Sequence, residues 1–138
     1  MIDLKDITQT LKKYDFIENA LLFGSYSSGK ESYLSDIDIA VYSRKELNLL
    51  ELGDIISDLE DVTGKKIDLV ILNNLYKKNP LLAYNIYINH KILFIGNKKE
   101  YENFKFYALK YYMDTKPLYE MTNQQLIQRL NSGTFAEI

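Results

Sequence analysis

Hydrophobic positions along the chain switch between two periods, and the switching predicts a succession of helices and strands. Leu4, Ile7, Leu11 and Tyr14 recur at helical spacing behind Asp3, a good helix-capping residue. IENALLFG, from Ile17 to Gly24, reads as a buried strand ending in glycine. SYSSGKESYLS follows, too rich in serine and glycine for more than one helical turn. DIDIAVY then alternates acidic and apolar residues as a strand does. Over residues 45–63, Leu47, Leu50, Ile55, Leu59 and Val62 return at near-helical spacing, and Gly64 stops the helix.

KKIDLVIL predicts a third strand, and Asn79-Pro80 is a start signal for a helix over LLAYNIYIN. HKILFIG predicts a fourth strand. Asn97 with Glu100 opens a tyrosine-rich helix to about residue 114, and Thr122 with Gln125 opens a last short one carrying Leu126 and Leu130. In the first of these helices Tyr101, Phe104, Ala108 and Tyr111 form a stripe for packing on the sheet, with Tyr107 and Tyr112 off it. The tail after Asn131 reads as frayed. The whole is an α/β (α+β) domain, a mixed sheet of about four strands with helices packed on it. Chemistry is expected in the loop that joins the first two strands without a full helix.

Composition narrows that chemistry. The chain of 138 residues fits one domain, with 46% hydrophobic and 26% charged residues. It has no cysteine, so disulfides, thiolate nucleophiles and cysteine zinc sites are excluded. His90 is the only histidine and reads as a solvated turn residue between a helix and a strand. A net charge of −2 argues against binding nucleic acid through its backbone, and the scattered lysine pairs read as element ends. No apolar run is long enough to span a membrane, and MIDLKDITQT lacks a signal-peptide pattern, so a cytoplasmic protein is expected. Carboxylates, hydroxyls, lysines and backbone amides remain.

They converge in Gly24-Ser25, then Asp36-Ile37-Asp38, then Asp68 in the following strand. Residues two apart on a strand share a face, so Asp36 and Asp38 are expected side by side, where two carboxylates repel unless a cation is bound. Magnesium, which takes one or two carboxylates plus substrate phosphates, suits such a pair. Asp68 stands in an apolar strand and needs either a partner or an edge position facing water. Taken singly, the acidic pair also fits a turn cap, and Gly-Ser an ordinary turn.

Together, FGSYSSGKESYLSDIDIAV resembles the signature of the DNA polymerase β-like nucleotidyltransferases, especially their minimal nucleotidyltransferase (MNT) branch, over roughly residues 1–96. Residues 97–138 would be a helical extension of that domain. The resemblance implies that Gly24 and Ser25 contact a triphosphate and that Asp36, Asp38 and Asp68 bind two magnesium ions. Asp68 would also help to activate the attacking hydroxyl. MNT loops often read Gly-Ser-Arg-Ala-Arg-Gly; here both arginines are absent, and Lys30 is the cation left to reach a phosphate. Free-standing MNT proteins commonly pair with a small HEPN ribonuclease toxin. The resemblance therefore implies an antitoxin that transfers AMP from ATP to a tyrosine of its partner. A non-catalytic module that neutralises the partner by contact is the alternative, and a small-molecule nucleotidyltransferase is a second. Twelve tyrosines and six phenylalanines suggest some aromatic surface for a partner.

Overall fold

A computed structural model describes residues 3–30 and 35–132, with side chains as far as Thr115. The elements follow as α1 (Leu4–Lys12), β1 (Ile17–Phe23), α2 (Ser25–Ser28), β2 (Ile37–Ser43) and α3 (Leu49–Thr63). Then come β3 (Ile67–Ile71), α4 (Leu75–Lys78), α5 (Pro80–Ile88), β4 (His90–Ile95) and α6 (Lys98–Ser132). Asp3 caps α1 by accepting from the Lys5 amide, and Asn79 caps α5 by accepting from the Leu82 amide, with Pro80 at the first turn.

The strands form one mixed sheet in the order β3-β2-β1-β4. β1 runs antiparallel to both β2 and β4, whereas β2 and β3 are parallel and joined through α3. Because strand side chains alternate, each strand feeds two cores. Ile37, Ile39 and Val41 of β2 join Ala20 and Leu22 of β1 against Ile7 and Leu11 of α1 and Ile55 and Leu59 of α3. Ala40 and Leu21 face the other way, toward Leu75, Ala83, Ile86, Phe104 and Ala108 of α4, α5 and α6. The result is a three-layer α/β/α domain, as the alternating pattern implies. Among the described residues no helix is long and apolar enough to cross a membrane.

Three expectations are corrected. The helix predicted from residue 45 begins at Leu49, because Asn48 and Glu51 close a reciprocal capping box there. Leu50 and Val62, expected in its packed stripe, are exposed at 81% and 43%. The two predicted C-terminal helices are a single helix of 35 residues that passes through Pro117 without a break. Proline removes one backbone donor but holds a helix-compatible φ, so the Thr122 capping signal is overridden. Of the tail reading, residues 133–138 lie outside the described residues.

His90 also differs from expectation. It is half-buried, with Nδ1 donating to the Ile86 carbonyl at 2.7 Å and Nε2 accepting from the Tyr101 hydroxyl at 2.8 Å. Those bonds tie the end of α5 to α6. Its role is a fastening between helices.

Candidate active site

The chain turns sharply after β1 because Gly24 adopts φ +72°, a region that costs most L-residues strain. A Cβ on Gly24 would lie 2.1 Å from Oδ2 of Asp38. Glycine is therefore needed twice, for the dihedral and for contact with the carboxylate. The turn continues as the single turn α2, closed by Ser27 and Ser28 amides donating to the Gly24 carbonyl. Two contacts hold it down. Tyr26 is buried in the α1–α3 core, and the Ser27 hydroxyl bonds Oδ1 of Asn89 at 3.3 Å.

Across the sheet, Phe23 at the end of β1 pairs with Asp38, and Asp38 pairs in register with Asp68 on β3. Alternation puts Asp38 and Asp68 on the face that carries Ala40 and Val70, toward α4–α6. The two carboxyl groups stand close enough for Asp68 to raise the cost of ionising Asp38. Burial pushes the Asp38 carboxyl up, the charges of Asp68 and Asp36 add to it, and the value reaches about 6. Asp68 is exposed on the edge strand and lies beside Asp38 in the register.

Asp36 sits just before β2, exposed, and contributes its field to Asp38. Ser25 opens α2 beside Gly24. Lys30 is exposed beyond the turn, held through its backbone amide on the Ser25 carbonyl at 3.0 Å. Its ammonium forms no ion pair with the three acids among the described residues. Gly24, Asp38 and Asp68 thus come together, with Ser25 and Asp36 at the rim and Lys30 outside it. Sequence reasoning missed Tyr26 as the buried anchor and Asn89 as the latch. A lone tyrosine among small polar residues was the available signal for the first, whereas the second depends on β4 pairing with β1.

Hard carboxylate oxygens on neighbouring strands, crowded enough to hold a proton, are a donor set that suits a divalent cation shared with phosphate oxygens. Among the described residues no group of three or more acids, histidines or cysteines is arranged to hold a metal by itself. The donors present fit a magnesium ion that arrives with a polyphosphate and completes its shell from the substrate.

Comparison with known proteins shows the family. Residues 5–99 match the family described as Polymerase beta, Nucleotidyltransferase. A relative from Methanocaldococcus jannaschii, named as a candidate protein adenylyltransferase, is 36% identical over 70 residues, spanning 51% of this chain and 72% of its own. A second from the same organism, named in the same way, is 30% identical over 93 residues, spanning 62% and 93%. A solved toxin–antitoxin with AMP-PNP superposes with a TM-score of 0.77 at 23% identity, over 91% of this chain and 99% of that one. A tri-AMPylated Shewanella oneidensis HEPN toxin in complex with MNT antitoxin gives 0.70 at 22%, over 90% and 95%. At those identities the structural likeness is one of fold. The Gly24-Ser25 turn, the paired carboxylates and a family match over residues 5–99 agree: the chain belongs to the polymerase beta nucleotidyltransferase family.

Proposed function

We propose that the chain transfers AMP from magnesium-ATP to a hydroxyl, a tyrosine, of a HEPN-type toxin, and so serves as its antitoxin. The observation that carries the reading is the in-register pair Asp38–Asp68 packed against the positive-φ Gly24-Ser25 turn. The relatives named for protein adenylyltransferase activity and the toxin–antitoxin neighbours support it.

When bound, magnesium supplies positive charge to the phosphates and lowers the pKa of a coordinated hydroxyl. Asp36, Asp38 and Asp68 would hold it. In the reaction the acceptor oxygen bonds to the α-phosphorus, the bond from that phosphorus to the β-bridging oxygen breaks, and pyrophosphate leaves. Asp68, exposed and at the sheet edge, takes the proton of the attacking hydroxyl. Gly24 lets the loop backbone approach the phosphates, since no Cβ intervenes, and Ser25 adds a hydroxyl donor. Lys30 offers a point charge to a phosphate from the rim. The domain would span residues 1–96, with residues 97–138 as its extension.

A contact-only antitoxin is favoured by one feature: a buried Tyr26 and an exposed Ser28 stand where MNT loops often carry arginines. The experiment is a single-turnover assay with α-labelled ATP, magnesium and the HEPN protein of a neighbouring reading frame. Asp68→Ala should bind nucleotide nearly normally and transfer about 10²–10⁴-fold more slowly. An undiminished rate removes Asp68 from the site. A wild type that silences the toxin without changing its mass replaces the enzyme with the contact-only reading.

A further inference from the structure

The order of the site along the sheet gives the two reactants different sides. Gly24 and Ser25 follow the end of β1, Asp38 lies on the neighbouring β2, and Asp68 on β3, the outermost strand. A triphosphate held by the Gly24-Ser25 turn lies inboard, so an acceptor reaching Asp68 arrives from the open side of β3. In-line displacement calls for that separation, because the attacking oxygen and the departing pyrophosphate take opposite sides of the phosphorus.

The open side of β3 is a strand edge with a regular set of unpaired groups. The Ile37 amide donates to the Lys66 carbonyl at 2.9 Å, and the Leu72 amide donates to the Val41 carbonyl at 2.8 Å. Lys66, Asp68, Val70 and Leu72 therefore direct their backbone groups at β2, and Ile67, Leu69 and Ile71 direct theirs outward. The Ile67 amide is taken by Glu60 Oε2 at 3.2 Å. The Leu69 and Ile71 amides and carbonyls have no partner among the described residues.

Soluble proteins ordinarily protect such an edge with a bulge, a lysine or a proline. β4, the other edge of the sheet, has its register against β1 broken between Ala20 and Leu21 and carries the exposed Lys91. β3 has neither device. Its register against β2 is unbroken from Ile67 to Ile71, and IDLVI contains no lysine or proline. Its single charge is Asp68, which the proposed reaction uses. Five residues is an ordinary strand length, and the two outward donors and two outward acceptors of Leu69 and Ile71 are what an extended chain engages.

We propose, resting on the AMP-transfer reading, that the acceptor protein docks by adding an extended strand to β3, with its hydroxyl-bearing residue opposite Asp68. Residues opposite each other on neighbouring strands share a face, so that residue presents its side chain on the side of the Asp38 and Asp68 carboxylates. In antiparallel addition the position is a non-hydrogen-bonded pair, where facing side chains come closest. A slip of one residue turns the hydroxyl to the opposite face, so backbone register decides which side chain is modified.

Residue-resolved amide exchange reads the docking directly, on the full chain alone and saturated with the HEPN protein of a neighbouring reading frame. In the complex without nucleotide the Leu69 and Ile71 amides should slow at least about tenfold, while the outer edge of β4 stays as in the free chain. Leu69→Pro deletes one outward donor and no bond to β2, and should weaken the complex about tenfold, the effect of one unmade hydrogen bond. Leu69→Val keeps the amide and should bind as wild type. A complex in which Leu69 and Ile71 exchange as freely as in the isolated chain overturns edge docking, and AMP appearing on the partner in that case leaves the transfer reading intact. Protection of both amides with no AMP transferred on adding magnesium-ATP upholds the docking and fails the transfer reading. Absence of a complex, or undiminished binding by Leu69→Pro, overturns the docking.

Discussion

Asp38 and Asp68 stand directly opposite each other in the register of two parallel strands, with Gly24 pressed against the Asp38 carboxylate. Like charges so placed cost stability whenever both are ionised, and that cost is the signature of a site shaped for something other than the empty fold.

The first prediction follows from that cost. The ordinary Asp38 value of 3.8 rises to about 6 in the fold, so its contribution to stability falls as pH rises from about 4 through 6. At neutral pH in chelator-treated buffer, Asp38→Asn should therefore be more stable than wild type by up to about 1 kcal/mol, after allowance for solvent screening. The same variant should lose binding of magnesium-ATP. Urea melts and calorimetry read the two effects separately. A destabilised variant would contradict the crowding described here.

Two glycines give an internal comparison. Gly24 and Gly29 both have positive φ, +72° and +76°, but a Cβ meets Asp38 only at Gly24 and open space at Gly29. Gly29→Ala should cost about 1–2 kcal/mol from backbone strain alone. Gly24→Ala should cost more and also displace Asp38, so that nucleotide binding falls with stability. Equal costs at the two positions would deny the contact with Asp38.

Asn19 is 1% exposed and serves two backbone amides and one carbonyl at the junction of β4 and α6. Asn19→Ala leaves the Asn97 amide without its partner, whereas the Gly96 amide keeps the Glu18 carbonyl and the Asn97 carbonyl keeps the Tyr101 amide. The expected loss is about 1–3 kcal/mol, seen as a lower urea midpoint, the cost of one orphaned group.

Tyr14 gives the alkaline limb. Its hydroxyl donates to Asp58, and burial, that bond and the charges of Asp58 and Asp54 push its value from 10.0 to about 12. The unfolded chain loses this proton first, so the contribution of Tyr14 to stability is intact below pH 10 and falls between 10 and about 12. Tyr14→Phe should be less stable than wild type at neutral pH, and the gap should narrow across that interval in paired melts. A constant gap would remove the bond as its source.

The element pattern was written in local sequence because each signal acts within a few residues. Asp3 and Asn79 cap the helices they precede, and short apolar runs, alternating with acids at the start of DIDIAVY, mark the four strands. The same locality explains the failures. Asn48–Glu51 outcompetes the apolar spacing before it, and a helix already propagating passes Pro117 and ignores the Thr122 signal. The acids of the site were legible as residue types at a suggestive spacing. That Asp68 meets Asp38 and not water alone was decided by the parallel register of β2 and β3, which α3 sets from a distance. Tyr26 as a core anchor, His90 as a fastening to Tyr101 and the open edge of β3 beside Asp68 depend on how strands and helices meet in the fold. Sequence alone determined which groups were available, since propensity and charge are properties of short segments. Tertiary structure decided which of them touch, because contact between distant residues is fixed by packing and sheet register.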